Sequence, residues 1–301
     1  MKPLIKVFFL LSAALCGVSA DAENTLTIYY TASLNGNLDG CTCEMNPVAG
    51  LVKRAAYLRS IEPSGPTLIL DAGDIFDEYP DPDLERHILE VYQELGYDAI
   101  AVGDQELANG PEALLDYAEA SPLICHNLRF MEKNGSTRPF SPEPRVIEVH
   151  WLNVGIFALV DPSIIRTTRS GIKVMSPTAA AQEVLRTWSK KRVDVKIALY
   201  HGPYRSAREL VESCPDIDLL IFGHEGRLVA PEKIGNTVVV SPGDEGDYLG
   251  ILELTLTSGG INGFRNRFEF FSYAGHPDDP KVRDRIEIYK QNLRSKIRND
   301  Y

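Results

Sequence analysis

The stretch TLILDAGD, Thr67 to Asp74, joins an apolar run to a polar loop and indicates how the chain folds. The continuous apolar residues of this run are typical of a strand that is covered on both faces of a sheet. A glycine and a second carboxylate, Gly73 and Asp74, follow directly. In an open α/β sheet, ligands bind beyond the carboxyl ends of the strands. Asp74 is therefore a candidate site residue.

Similar apolar runs recur along the chain and alternate with helical patterns. The predicted strands cover residues 26–31, 67–71, 98–102, 122–127, 145–150, 153–160, 195–201, 218–224, 237–242, 249–256 and 267–273. The predicted helices cover residues 50–61, 83–96, 178–191 and 282–297. The alternation predicts an α/β fold. Because the later strands follow one another without helices, we expect two packed sheets with helices outside and no linker that divides the chain.

The N-terminal residues are typical of a secretory signal peptide. Two lysines precede the apolar run VFFLLSAALCGV (7–18), and small residues follow it. Cleavage after Ala20 or Ala22 fits equally well, so residues 1–22 are expected to be removed. No later run is long and apolar enough to span a bilayer. These features predict an exported protein, periplasmic or secreted, that does not span a membrane.

The composition is that of a globular protein, with 44% hydrophobic and 24% charged residues among 301. The formal net charge of −11 argues against nucleic acid and anionic membranes as partners.

Polar side chains follow several of the predicted strands. The residues at these strand ends are Asp74, Asp104, Glu106, Asn127, His201 and His224. A single aspartate or histidine in such a position more often caps a turn or packs as a structural residue. Their recurrence at equivalent strand ends favours a shared site. Two histidines with carboxylates suit Zn, Mn or Fe better than Mg or Ca.

Four short motifs occur in an order that resembles a known family. They are DAGD (71–74), GDQE (103–106), YHG (200–202) and GHEG (223–226). This order resembles the metallophosphoesterase (calcineurin-like) superfamily, and most closely the catalytic domain of 5′-nucleotidases and UDP-sugar hydrolases. The resemblance implies a four-layer α/β/β/α sandwich with a dinuclear metal centre at the strand ends. It also implies one domain over residues 26–273, a C-terminal helix within 274–301, and no separate nucleotide-binding domain.

The chain departs from the family pattern at four positions. Ser33 and Asn35 stand where the family has an Asp-x-His pair, Gln105 replaces its catalytic histidine, and Gly226 replaces its last histidine. The resemblance implies that every ligand used by one metal alone is missing. Because glutamine cannot donate a proton as an acid, hydrolysis of a small phosphorylated molecule is expected to be weak or altered.

The ligands of the other metal all have counterparts in this chain. They are Asp74, Asp104, His201 and His224, and Asp104 replaces a family asparagine. The resemblance therefore implies one divalent transition metal. The added charge of Asp104 would partly offset the loss of a neighbouring cation. The alternative is an inactive scaffold that keeps these four residues without metal.

The loop DGCTC places Cys41 and Cys43 on either side of Thr42. Its surroundings resemble a bacterial Cys-x-Cys branch of the family that is related to selenoproteins. The two thiols are compatible with a redox-active pair that serves a redox partner protein, or with ligands for a soft metal. They are also compatible with a structural bridge, either local or to Cys125 or Cys214. Three functions follow: a one-metal phosphoesterase, a thiol-redox protein, and a non-catalytic metal- or partner-binding protein.

Overall fold

The computed structural model describes residues 25–41, 49–165, 171–257 and 260–299, which form fifteen strands and six helices. The strands are β1 (Thr25–Thr31), β2 (Thr67–Asp71), β3 (Ala99–Ala101), β4 (Leu123–Ile124), β5 (Leu128–Met131), β6 (Thr137–Pro139), β7 (Arg145–Val149), β8 (Leu152–Val160), β9 (Ile172–Val174), β10 (Val195–His201), β11 (Leu219–Gly223), β12 (Leu228–Ile234), β13 (Thr237–Pro242), β14 (Tyr248–Thr257) and β15 (Gly260–Phe270). The helices are α1 (Gly50–Arg59), α2 (Pro82–Leu95), α3 (Pro111–Ala120), α4 (Pro177–Trp188), α5 (Tyr204–Ser213) and α6 (Pro280–Asn299).

The strands form two six-stranded sheets and one small sheet. The first sheet has the order β15-β14-β1-β2-β3-β4, and the second has the order β12-β13-β11-β10-β8-β7. Strands β1 to β4 are parallel, as are β8, β10, β11 and β13. The remaining strands of both sheets pair antiparallel at their edges. Parallel strands end at one edge of their sheet, so each sheet has a carboxyl edge where loop residues gather.

Three separate apolar clusters show that the two sheets and the helices form four layers. One cluster joins the first sheet to α1, α2, α3 and α6. The second lies between the two sheets and consists mainly of their inward-facing aliphatic residues. The third joins the second sheet to α4 and α5. This arrangement confirms the α/β/β/α sandwich that the sequence resemblance implied.

Local signals in the sequence set the ends of several helices. In α2, Asp81 accepts hydrogen bonds from the backbone N–H groups of Asp83 and Leu84, and Gly96 ends the helix at φ 74°. All four predicted helices form, and nine of the eleven predicted strands lie close to their expected bounds. Of the predicted strand 122–127 only Leu123–Ile124 forms, as β4, and β15 begins at Gly260 and ends at Phe270. Helices α3 and α5 and four strands, β5, β6, β9 and β12, were not predicted, because their apolar patterns are short.

Helix α6 packs as part of the outer layer on the first sheet. Val282 and Ile286 are buried in the same cluster as α1 and α2. The hydroxyl of Tyr289 donates to the carboxylate of Asp81 at 2.6 Å. The predicted signal peptide, residues 1–22, lies outside the described residues. Within the described ranges, no helix is long and apolar enough to cross a membrane.

Candidate metal centre

Four potential ligands meet where the carboxyl edges of the two large sheets come together. Asp74 follows β2 and Asp104 follows β3 in the first sheet, whereas His201 ends β10 and His224 follows β11 in the second. One ligand atom from each of these residues lies within 4.8 Å of the others. The sequence predicted these four residues from four different strand ends, and the structure brings all of them together.

The shortest distances within the cluster join the histidines to the carboxylates. Nε2 of His201 lies 3.0 Å from Oδ2 of Asp74 and 3.6 Å from Oδ1 of Asp104. Nδ1 of His224 lies 3.3 Å from the same Oδ1 of Asp104. The two imidazole rings stand edge to face with their centroids 5.4 Å apart. Asp104 therefore lies between the two histidines.

The orientation of His201 is fixed by its second ring nitrogen. Its Nδ1 lies 2.7 Å from the carbonyl oxygen of Ala72, which can only accept, so Nδ1 carries the proton. His201 is fully buried, and its Nε2 has no hydrogen-bond partner. This is the arrangement of metal-binding histidines, in which a backbone carbonyl orients the ring and sets the tautomer.

Asp74 occupies a tight turn that the buried carboxylate of Glu106 stabilises. The φ angle of Asp74 is 57°, which is uncommon outside glycine. Glu106 accepts the backbone N–H groups of Gly103, Asp74, Ile75 and Phe76 at 2.6, 3.0, 2.8 and 3.3 Å. Gly103 must be a glycine, because a Cβ there would lie 2.1 Å from Oδ1 of Asp74. The backbone around Asp74 is therefore tightly constrained.

The electrostatics of the cluster favour a positive charge at its centre. Burial lowers the pKa of His201, but the charge of Asp74 and the contacts to Asp104 outweigh it and raise the pKa well above its ordinary value. Burial acts to raise the pKa of Asp104, yet the nearby imidazoles of His201 and His224 lower it overall. Burial and the charge of Asp74 raise the pKa of Glu106 to about 8. Two carboxylates thus stabilise positive charge at Nε2 of His201.

The residues present fit a divalent transition metal. Both Nε2 of His201 and Oδ1 of Asp104 are buried without a hydrogen-bond partner. Ligands about 2.2 Å from one ion lie at most about 4.4 Å apart, which is close to the spread of this cluster. Two imidazoles with two carboxylates form a mixed N/O ligand set that suits Zn, Mn or Fe.

The four positions that depart from the family pattern form a hydrogen-bonded border on one side of the cluster. Nδ2 of Asn35 donates to Oδ1 of Asp244 at 2.8 Å, and Nε2 of Gln105 donates to Oδ1 of Asn35 at 3.1 Å. Oγ of Ser33 accepts the backbone N–H of His224 at 3.3 Å. Gly226 has a φ of +63° and faces the carboxylate of Asp244.

Asp244 is the residue of this border that the sequence analysis missed. It follows β13, a parallel strand of the second sheet, in the loop GDEGD. Its position obeys the rule that identified Asp74 and His224, namely a polar residue just beyond a parallel strand. None of the quoted family motifs includes it, so the sequence comparison gave no reason to select it.

Of the two cysteines in the DGCTC loop, Cys41 lies among the described residues and Cys43 does not. Cys41 is disulfide-bonded, whereas Cys125 and Cys214 are free and buried. Cys41 is therefore not bridged to Cys125 or Cys214. Thr42 and Cys43 lie outside the described residues. The predicted redox role of the Cys41–Cys43 pair remains a prediction.

The relatives of the chain by sequence are phosphoesterases and nucleotidases. No sequence model of a known protein family matches the chain. The chain is 21% identical over 311 residues to the trifunctional nucleotide phosphoesterase protein YfkN of Bacillus subtilis, a match covering 89% of this chain and 21% of that protein. It is 24% identical over 289 residues to a 5′-nucleotidase of Diplobatis ommata, covering 83% of this chain and 50% of that enzyme. The chain thus spans half or less of the length of these two relatives.

Solved structures share the fold over almost the whole chain. The 5′-nucleotidase precursor of Thermus thermophilus superposes with a TM-score of 0.80 at 22% identity, over 90% of this chain and 59% of that one. The calcineurin-like phosphoesterase YfkN of Bacillus subtilis superposes with a TM-score of 0.74 at 21% identity, over 92% and 99% of the two chains. The fold is therefore that of metallophosphoesterases and 5′-nucleotidases.

Proposed function

We propose that this chain is an exported, 5′-nucleotidase-like metallophosphoesterase that works with a single divalent transition metal. The observation that carries the proposal is the convergence of Asp74, Asp104, His201 and His224, whose ligand atoms lie within 4.8 Å of one another. The shared fold with metallophosphoesterases supports the same reading, because that fold positions these four strand ends together.

The substrate class in this proposal is a small phosphoric ester. A divalent cation held by two carboxylates and two histidines would act as a Lewis acid toward a phosphoryl oxygen. The residues of this chain would hold that cation between two buried side chains, His201 and Asp74, and two partly exposed ones, Asp104 and His224. Nucleotides are the proposed substrates, because the two relatives are named as a nucleotide phosphoesterase and a 5′-nucleotidase.

Hydrolysis is proposed to be slow, because two usual contributions to catalysis are weakened. Gln105 stands where the resemblance implies a catalytic histidine, and its amide cannot act as a general acid at neutral pH. The border formed by Asn35, Gln105 and Asp244 contains neither histidine nor cysteine, so it offers fewer donors suited to a transition metal. General acid catalysis contributes about 10²–10⁴-fold in enzymes, so its loss alone gives a large effect.

The alternative functions are less well supported by the described residues. A thiol-redox role would need Cys43, which lies outside them, and no described feature points to a redox partner protein. Non-catalytic metal binding would use the same four ligands and is therefore an outcome of the test below.

Metal analysis of purified, unchelated protein tests the proposal, followed by assays with AMP and with p-nitrophenyl phosphate under Zn, Mn and Fe. We expect about one metal ion per chain and phosphatase activity that a chelator abolishes. We expect AMP turnover below about 1 per second, the lower end of typical enzyme rates. Metal binding without any phosphatase activity would favour the non-catalytic alternative, and protein that takes up no metal would overturn the proposal.

A further inference from the structure

A chain of hydrogen bonds starts at Asp244 and ends beside the metal ligands. Asp244 lies in the loop after β13, where its Oδ1 accepts Nδ2 of Asn35 at 2.8 Å and the backbone N–H of Glu245 at 2.9 Å. Oδ1 of Asn35 then accepts Nε2 of Gln105 at 3.1 Å. The backbone N–H of Gln105 donates to Oδ1 of Asp74 at 3.1 Å. The chain thus connects Asp244 to a metal ligand.

The carboxylate of Asp244 determines which side-chain atoms donate and which accept hydrogen bonds in this chain. An ionised carboxylate only accepts hydrogen bonds, so the side chain of Asn35 must present its NH₂ group to Asp244. The oxygen of Asn35 therefore faces Gln105, which must donate in turn. This leaves the oxygen Oε1 of Gln105 as the free end of the chain. That oxygen is buried and has no hydrogen-bond partner.

We propose that Asp244 is a positioning residue of the metal centre, which acts through Asn35 to hold Oε1 of Gln105 as a fixed hydrogen-bond acceptor in the border of the site. A buried acceptor without a partner is unfavourable, so a donor is expected there when the site is loaded. Water bound to a divalent cation, or a hydroxyl group of the substrate, is a donor of the required kind. Gln105 then orients a ligand by accepting a hydrogen bond from it, whereas the histidine implied by the resemblance would donate a proton.

A second observation, at Gly226, concerns the same carboxylate. Asp244 occupies the space that a side chain at position 226 would need. A Cβ at position 226 would lie 2.7 Å from Oδ2 of Asp244, a distance that real Cβ contacts do not show. A side chain at position 226 and the carboxylate of Asp244 therefore exclude one another in the present arrangement. A side chain at position 226 would therefore require the carboxylate of Asp244 to shift from its position beside Asn35.

The inference rests on the proposed metal site, so one of its tests must not depend on metal. The side-chain NH₂ signals of Asn35 and Gln105 can be followed by NMR hydrogen exchange in metal-free protein. We expect both groups to exchange slowly in the wild type and faster in Asp244→Asn. The matched control is Glu245→Gln, which removes the same charge from the adjacent position. Rapid exchange of both groups in the wild type, or equal effects of the two variants, would overturn the inference.

The second test measures Zn²⁺ affinity by competition with a chelator. Loss of a residue that orients metal ligands typically weakens metal binding about 10–100-fold. We expect Asp244→Asn to show such a loss and Glu245→Gln to remain within about threefold of the wild type. Equal losses of Zn²⁺ affinity in both variants would show that only the removed charge matters, and would contradict the inference. If the wild type binds no Zn²⁺, the proposed function fails, whereas the NMR result still decides whether the chain of hydrogen bonds exists.

The third test is a double-mutant cycle on thermal stability. Gly226→Ala is expected to lower the melting temperature markedly in the wild type and much less in the Asp244→Ala background, where the collision is absent. The positive φ of position 226 affects both backgrounds equally and cancels in the cycle. The same loss in both backgrounds would show that Asp244 and Gly226 are not coupled.

Discussion

The carboxylate of Glu106 accepts the backbone N–H of Asp74 at 3.0 Å, although Glu106 itself offers no ligand to the metal cluster. The same fully buried carboxylate accepts three further backbone N–H groups, from Gly103, Ile75 and Phe76. These bonds hold the loop in which Asp74 takes a positive φ angle. Glu106 therefore builds the turn that places one of the ligands.

Replacing Glu106 by glutamine should destabilise the protein and weaken metal binding together. The amide NH₂ would face backbone N–H groups that need an acceptor, and at about pH 9, above the Glu106 pKa of about 8, charge-assisted hydrogen bonds would also be lost. We expect the free energy of unfolding in urea to fall by about 3 kcal/mol. The matched control is Glu119→Gln on the exposed face of α3, which should stay within about 0.5 kcal/mol. Equal stability of Glu106→Gln and wild type would show that the turn does not need the anion.

Alanine at His201 or His224 should lower metal occupancy and remove the stabilisation that metal provides. Bound metal stabilises only the folded state, so the melting temperature of the wild type should rise with added Zn²⁺. The variants should show a much smaller rise and less than half of the wild-type occupancy. His150→Ala, at an exposed histidine, serves as the control. Full occupancy in the double variant His201→Ala/His224→Ala would place the metal elsewhere in the protein.

The candidate metal ligands could be predicted from sequence because each obeys a simple local rule. Asp74, Asp104, His201 and His224 each lie at or just after the end of a parallel strand, and such ends converge in this fold. The two sheets were likewise predictable, since their strands are continuous apolar runs.

The contacts within the border, and Asp244 as part of it, could not be predicted, because they depend on turns whose geometry the sequence pattern does not encode. The bond between Asn35 and Asp244 joins residues 209 positions apart. Asn35 itself sits at a φ of 52°, and Gly226 at +63°. The steric conflict between a side chain at position 226 and the carboxylate of Asp244 is visible only in the three-dimensional structure.

A third prediction concerns the buried hydrogen-bond network of Arg54, Tyr92 and Asp71. The fully buried guanidinium of Arg54 donates to the hydroxyl of Tyr92 at 2.6 Å, and this hydroxyl donates to Asp71 at 3.0 Å. Tyr92→Phe would remove the group that joins the two charges and leave Nη2 of Arg54 unpaired. We expect the free energy of unfolding to fall by about 2–3 kcal/mol, measured by urea denaturation.

Tyr79→Phe is the matched control for this change, because Tyr79 is 74% exposed. Its effect should stay within about 0.5 kcal/mol. If Tyr92→Phe is equally mild, then the shared hydroxyl does not contribute to stability.

The buried imidazole of His126 makes the stability of the protein depend on pH. Burial, with a smaller contribution from the charge of Arg145, lowers the pKa of His126 from 6.5 to about 4, against hydrogen bonds to backbone groups. Nδ1 of His126 lies 3.2 Å from the backbone nitrogen of Ala158 and 3.3 Å from its carbonyl oxygen, and it can accept from the N–H group only when it carries no proton.

Because the pKa is lower in the folded state, the unfolded chain takes up a proton first as the pH falls. The contribution of His126 is therefore complete above pH 6.5, and it is lost progressively as the pH falls from 6.5 to about 4. A shift of this size corresponds to about 3 kcal/mol. We expect His126→Asn to lose less free energy of unfolding than the wild type between pH 7 and pH 4, by up to that amount. His150→Asn, at an exposed histidine, should follow the wild type. If the curves of wild type and His126→Asn run parallel over this interval, His126 is not the group whose protonation destabilises the fold.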